Sequence, residues 1–462
     1  MARNPTVAKD GSAVLVALCL TMVLGIAVIG YVAVCARTME MSNRSFCTNG
    51  AVQLAEIGAE EALWTLNQAR ANPAAYDWAA AGWTKAGSTV NKSLGGFFTN
   101  QGVPGAVSIQ IDSCDYDGIA HTTLPVITAS GASQMPDGLA ITKQLKIKVR
   151  PAALFTSAVG AYNSCSFTIN WSAWLDSYES TVDPDPASGL QTRRDEALVN
   201  APSVAVNAAQ VSGFVATTGS APAYTTGGKV TRADTPGGVS RDPRYVFTNA
   251  SQNLFEIVAP SGAGTTVSGI AELKAAPFYS QLGTAGATTP TIFYVTGDLS
   301  VLSSADNLTI NGPVIIRISG NLTINGTGQI IINKGADAAH NGSAQIFVGG
   351  RLDIEGAGVD NKTKLPKNLA TISTSSGSYA DINYYTAQLA TSGAYYGVIY
   401  VPYGSLRLYA VYGSTTICGA VLAQTVDQGW GNGYFHYDLS LRDAVYPTLN
   451  TPYDVSQWLV SN

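Results

Sequence analysis

Hydrophobic positions follow three different rhythms along this chain. From Ser12 to Ala36, 25 consecutive positions carry no charged residue. At about 1.5 Å of rise per residue, a helix of that length exceeds the roughly 30 Å hydrocarbon core of a bilayer. Over residues 51–69, Ala51, Leu54, Ala55, Gly58, Ala62, Leu66 and Ala69 recur at steps of three and four, which predicts one apolar stripe on a continuing helix. Gln53, Glu56, Glu60, Glu61 and Gln68 fall on its other side, and Asn72-Pro73 stops it. One helix over 12–72 is expected, apolar all round at first and amphipathic afterwards.

The period then shortens to two. Val107-Ser108-Ile109-Gln110-Ile111, Pro125-Val126-Ile127-Thr128-Ala129 and Leu145-Lys146-Ile147-Lys148-Val149 alternate as strands with one wet face do. They predict a small α+β module over 74–153, packed on the outer part of the helix. Beyond Phe155 a repeat of the form Gly, polar, Leu, polar, aliphatic emerges. It begins at Gly297, Gly320, Gly350 and Gly404, at intervals of 23, 30 and 54 residues. Between these lie short aliphatic runs such as Val314-Ile315-Ile316 and Ile330-Ile331-Ile332. Coils of about 20–27 residues, some carrying inserted loops, fit a parallel, right-handed β-solenoid over 155–445. Residues 446–462 remain as a tail. A β-sandwich is the competing architecture. The expected fold class is mainly β with a long N-terminal helix.

Composition narrows the setting. Charged residues make up only 12% of the chain, against about a quarter in an ordinary soluble domain. Tyr is the commonest aromatic, with 22 residues, and there are 47 Gly. Such a mixture suits β-structure with many tight turns on an exterior surface. With a formal net charge of −5 there is no basic field for a nucleic-acid backbone, and none is expected as a partner. Cys19 and Cys35 fall in the apolar run. Cys47, Cys114, Cys165 and Cys418 lie outside it, without CxxC or His neighbours, and permit either two disulfides or buried thiols.

The leader sharpens the assignment. Arg3 and Lys9 precede the apolar run and Arg37 follows it, so charge alone orients the span weakly. Lys9-Asp10-Gly11 stands directly before Ser12-Ala13-Val14-Leu15-Val16. This resembles the class III signal of type IV prepilins, cut between Gly11 and Ser12 by a prepilin peptidase. Together with Leu54-Ala55-Glu56-Ile57-Gly58-Ala59-Glu60-Glu61-Ala62, the first 70 residues or so resemble the N-terminus of PilX-type minor pilins and of the K-type pseudopilin. The resemblance implies a methylated mature N-terminus and a single-pass anchor in a bacterial inner membrane, with the N-terminus cytoplasmic and the body periplasmic or on the pilus or cell surface. It implies other pilin subunits as partners, contacted through a helix carrying Val16, Leu54, Ala55, Glu56, Gly58 and Ala62. Major pilins carry Glu as the fifth mature residue. Here that place is Val16, which fits either a filament tip, where no neighbour's terminal amine needs a carboxylate, or a membrane protein that is never polymerised. From Phe155 to Asp443 the chain resembles a β-solenoid domain of unknown function found behind such N-termini, through Leu175-Asp176-Ser177-Tyr178, Tyr396-Gly397-Val398 and Phe435-His436-Tyr437-Asp438.

Candidate chemistry is sparse. The three His residues, His121, His340 and His436, have no Cys beside them, and no HExxH, GxSxG or P-loop spacing occurs. His436 beside Asp438 suggests a structural hydrogen bond. Polysaccharide-cleaving β-helices need acids converging on one groove. Asp176, Asp183, Asp185, Asp298, Asp353 and Glu355 are the candidates, with Asp298 and Asp353 in nonequivalent slots of the repeat. Asp112, Asp115 and Asp117 before Gly118 lack the spacing of a calcium loop. Tyr384, Tyr385, Tyr395, Tyr396, Tyr400, Tyr403, Tyr409, Tyr412, Tyr434 and Tyr437 crowd the C-terminal coils, either as a sugar-stacking surface or as an internal ladder. No enzyme, cofactor or metal is expected. The expected function is a membrane-anchored, pilin-like structural subunit displaying its β domain for adhesion or filament priming. The alternative is an anchored β-helix that binds or degrades surface glycans.

Overall fold

In the computed structural model, the described residues are 10–73, 75–98, 104–117, 121–182, 193–225, 227–248, 254–255, 257, 262–375, 387–391, 393–408, 414–428, 432–446, 449 and 451–461. The protein is mainly β with one long helix, Asp10–Ala71. It forms two compact units, one of residues 1–116, 123–150 and 453–462, the other of 117–122 and 151–452.

The first unit lays an antiparallel sheet along the outer part of the helix. Its strands, in order, are Thr84–Ala86, Thr89–Phe98, Pro104–Asp112, Val126–Gln134, Ala140–Pro151 and Tyr453–Ser461. Val107, Ile109 and Ile111, then Ile127 and Ala129, then Leu145, Ile147 and Val149 are buried under the helix, as their alternation requires. Three glycines allow the close approach. A Cβ on Gly131 would strike Ala51 O and come within 2.5 Å of Ala55 N. One on Gly58 would lie 2.5 Å from Val107 Cγ1, and one on Gly105 would lie 2.7 Å from Leu54 Cδ1.

Residues 446–462 are not merely a tail, because Tyr453–Ser461 is a strand of this sheet. Tyr453 N donates to Asn67 Oδ1 at 2.6 Å, and Arg70 Nη1 donates to the Tyr453 hydroxyl at 3.3 Å. Arg70 also lies 4.9 Å from the centre of that ring, so the last turn of the helix is held by the far end of the chain. A nine-residue strand whose partners lie some 300 residues upstream leaves no local signal for its pairing.

In the second unit the strands pair in parallel among the described residues. Leu299, Leu322 and Leu352 stand in register, followed by Ala387, Leu406 and Val426. A four-stranded sheet adds Leu308, Ile330 and Val359 in a second column. The backbone of the repeat glycines also stacks, Gly320 N donating to Gly297 O at 3.1 Å and Gly350 N to Gly320 O at 2.8 Å. The 54-residue interval before Gly404 contains a further layer. Its strand, Ala387–Thr391, has Ala where the repeat has Leu, which hid it from the sequence pattern.

Chain order differs from stacking order. The chain enters at Val159–Tyr178, and Ala197–Asn200 and Ser203–Ala216 stack on one side of that strand. It then resumes at the opposite end of the sheet, at Thr265–Val267, and returns layer by layer to Ser414–Gln428, which pairs with Val159–Tyr178. On the way, Leu254, Phe255 and Ile257 pack against the core. The Tyr400 hydroxyl donates to Phe255 O and accepts from Phe255 N, both at 2.7 Å. Tyr294 grips Gly262 in the same way, at 2.8 and 2.9 Å.

None of the six cysteines is in a disulfide, and Cys47, Cys165 and Cys418 are buried.

Candidate functional site

The long helix divides sharply at about Cys47. Every residue from Ala13 to Ser42 is exposed, including Val14, Leu15, Ile26, Ile29 and Val32, and the helix is long and apolar enough to cross a membrane. Water solvates such a surface poorly, whereas lipid matches it. Two of its hydroxyls are satisfied inside the helix, Thr21 Oγ1 donating to Leu18 O at 2.8 Å and Thr38 Oγ1 to Val34 O at 2.9 Å. Gly11 and Ser12 lie in the first turns of this helix, while residues 1–9 of the expected leader fall outside the described residues. Val16 is 57% exposed.

Beyond Cys47 one stripe is covered. Ala51, Leu54, Ala55, Gly58, Ala59, Ala62, Thr65 and Leu66 are buried, Ala69 is half-buried, and Glu56 and Glu60 face water. Leu54, Ala55, Gly58 and Ala62 thus pack on the chain's own sheet and are not on offer to a neighbouring subunit. Ile57 and Trp64, two turns apart, stand on the open side instead, 42% and 58% exposed. Trp64 was legible as a large apolar residue on the polar side of the amphipathic pattern.

The candidate acids and His residues that are described each have a partner within the fold. His436 Nδ1 lies 2.5 Å from Asp176 Oδ1, with both side chains 2% exposed. Asp438, its neighbour in sequence, instead accepts from Ser180 N and Oγ and from Ser440 N and Oγ, at 2.6–3.1 Å. Cys418, His436 and Asp176 stand in one cross-strand register, on Ser414–Gln428, Asn432–Asp438 and Val159–Tyr178. Arg193 Nε lies 3.4 Å from Asp176 Oδ2. Both strings stand out in the sequence, but nothing adjacent in the chain joins Asp176 to His436. Their shared phase in alternating strands was the available signal.

Asp298 Oδ1 accepts from Asn321 N at 2.7 Å, and Asn321 Oδ1 from Arg351 N at 2.7 Å, so these side chains form a ladder between layers. Asp353 stands two residues along from Arg351, 3.4 Å from its Nη2, and burial raises its carboxyl above the ordinary value. Glu355 is in reach of Asn325 Nδ2 at 3.3 Å. Asp183 and Asp185 lie outside the described residues. Asp112 Oδ1 accepts from Thr89 and Gln110, Asp117 from His121, and Gly118 lies outside the described residues. Among the described residues, no three His, Cys, Asp or Glu side chains converge to hold a metal ion. His340 pairs with Asp337 at 2.7 Å on the surface.

Of the clustered tyrosines, Tyr395, Tyr396, Tyr400 and Tyr437 are buried, and Tyr403 and Tyr434 are half-buried. Tyr384, Tyr385, Tyr409 and Tyr412 lie outside the described residues. Tyr395 bonds Thr371 Oγ1 at 2.9 Å and Tyr437 donates to Phe155 O at 2.8 Å, and burial pushes both hydroxyls above their ordinary pKa. The buried rings of Tyr395 and Tyr437 thus fasten layers together and are not available to stack on a sugar.

A family described as a domain of unknown function (DUF7305) matches residues 258–444, all within the second unit. No curated protein matches the chain. Among solved structures, the competence-associated pilin ComZ from Thermus thermophilus aligns over 90% of this chain and 97% of its own, at 12% identity and a TM-score of 0.24. That score does not equate two folds.

Proposed function

We propose that this chain is a pilin-like structural subunit, anchored in a bacterial inner membrane by the first part of its helix. The observation that carries the reading is the unbroken helix Asp10–Ala71, bare over its first 30 or so residues and roofed by its own sheet beyond Cys47. A signal removed after its apolar core would not continue without a break into a packed helix. In this reading a prepilin peptidase cuts between Gly11 and Ser12, the new amine is methylated, and the body is periplasmic or carried out on a filament. Val16 in place of a carboxylate suits a minor or tip position. The bare segment, with Ile57 and Trp64, is the surface offered to other pilin subunits. The parallel layers of residues 151–452 are read as a right-handed β-solenoid that serves for adhesion or filament priming. No catalytic step is assigned, and support comes from the burial of His436 and Asp176 in a bridge between strands.

Mass spectrometry of the mature N-terminus in the native host tests the reading. A chain beginning at methylated Ser12 is the expected result. A chain that retains Met1, or one that begins beyond Ala36, overturns it.

A further inference from the structure

We propose that the outer face of the first unit's sheet binds an acidic polysaccharide, through Trp458, Lys146 and Lys148. This sheet covers the helix with one face only. On the other face, cross-strand rows carry small polar side chains, Ser108, Ser130 and Gln144 in one row and Gln110, Thr128 and Lys146 in the next. Lys146 and Lys148 are exposed, and no carboxylate forms an ion pair with either among the described residues. Two residues apart on a strand, they share one face, with backbones about 6.8 Å apart. The strand Tyr453–Ser461 lies beside them, Ser456 Oγ donating to Lys148 O at 2.9 Å. Trp458 follows one pleat after Ser456, on the same face by the alternation, and is 57% exposed.

An exposed indole on one sheet face, beside rows of hydroxyls and amides and two ammonium groups that no carboxylate pairs among the described residues, matches a pyranose chain bearing carboxylates. The ring's apolar face stacks on Trp458, its hydroxyls meet the Ser, Thr and Gln rows, and its carboxylates meet the two lysines. Membrane headgroups fit poorly. Lys146 pairs with Thr128, whose neighbour Ala129 packs at Gly58, 21 residues beyond Arg37. Along the helix that is about 32 Å, several times the Debye length of roughly 8 Å. A nucleic acid fits poorly as well, since the described residues of this face offer one stacking ring, whereas successive bases stack on several. The inference goes beyond the pilin-like reading and is tested without reference to filament assembly.

Titration calorimetry on the full chain in detergent micelles, with polygalacturonate as titrant, tests it, with dextran and oligothymidylate as comparisons. Binding of polygalacturonate is expected, together with a loss of about tenfold or more in Trp458→Ala and in Lys146→Gln/Lys148→Gln, both at unchanged melting temperature. The lysine variant should also flatten the salt dependence. Absence of binding by the wild type, or equal binding by both variants, overturns the proposal. Dextran or oligothymidylate bound as tightly, with the same losses, also overturns it.

Discussion

Gly320→Ala and Gly297→Ala are the same substitution at the same place in the repeat, yet the stacking assigns them opposite signs. A methyl group on Gly320 would run onto Asp298 Oδ1 and come within 2.8 Å of Gly297 C and 2.9 Å of Asp298 N. Backbone on one side cannot yield as a flexible side chain would, so overpacking costs about 1–3 kcal/mol. Displacing Asp298 also loses its 2.7 Å bond from Asn321 N, worth about 1.5–3 kcal/mol for a charged acceptor. Against this, Ala restricts the unfolded chain and returns about 0.4–1 kcal/mol. The net loss for Gly320→Ala is about 3 kcal/mol. At Gly297 the nearest atom is Ser268 O at 3.7 Å, an ordinary contact, so only the unfolded-state gain of about 0.5 kcal/mol remains. Hydrogen exchange at the Leu322 amide, which donates to Arg351 O across the next layer, reads the local difference. It should speed up about a hundredfold in Gly320→Ala and not at all in Gly297→Ala. Equal behaviour of the two variants would refute the described stacking of these glycines.

Three further outcomes are expected. Asp438→Ala strips a fully buried carboxylate from two Ser N–H groups and two Ser hydroxyls, and should cost about 3 kcal/mol or more in urea unfolding, with Asp438→Asn recovering part of the loss. Lys274, 2.7 Å away, together with Ser303, holds the Asp306 carboxyl down at about 2, so this pair stabilises the fold above the ordinary carboxylate range and loses that effect as pH falls toward 2. Lys274→Met should therefore lower the melting temperature modestly at pH 7 and leave it unchanged near pH 2, and an equal drop at both would count against the pair. Burial, with Asp427 adding to it, pushes the Cys165 thiol well above its ordinary value, so it should resist a thiol reagent at pH 8 until urea unfolds the second unit.

What the sequence determined by itself is whatever rests on neighbours in the chain. Helical period and the uncharged run place a helix over 12–72, where Asp10–Ala71 is observed, because a helix closes its hydrogen bonds within four residues. Alternation put Val107, Ile109, Leu145 and Ile147 on the inner face for the same local reason. The Gly-polar-Leu phase identified residues that do stack, at Leu299, Leu322 and Leu352, but missed the layer at Ala387. Tertiary structure decided which strands meet. It joined Asp176 to His436 across 260 positions, returned Tyr453 to Arg70 across 383, and docked Ser414–Gln428 on Val159–Tyr178. It also turned Leu54, Ala55, Gly58 and Ala62 toward the chain's own sheet. A strand's pattern fixes which face is apolar and says nothing of which edge its N–H and C=O groups will find. That choice is made only when the whole set of layers buries its columns together.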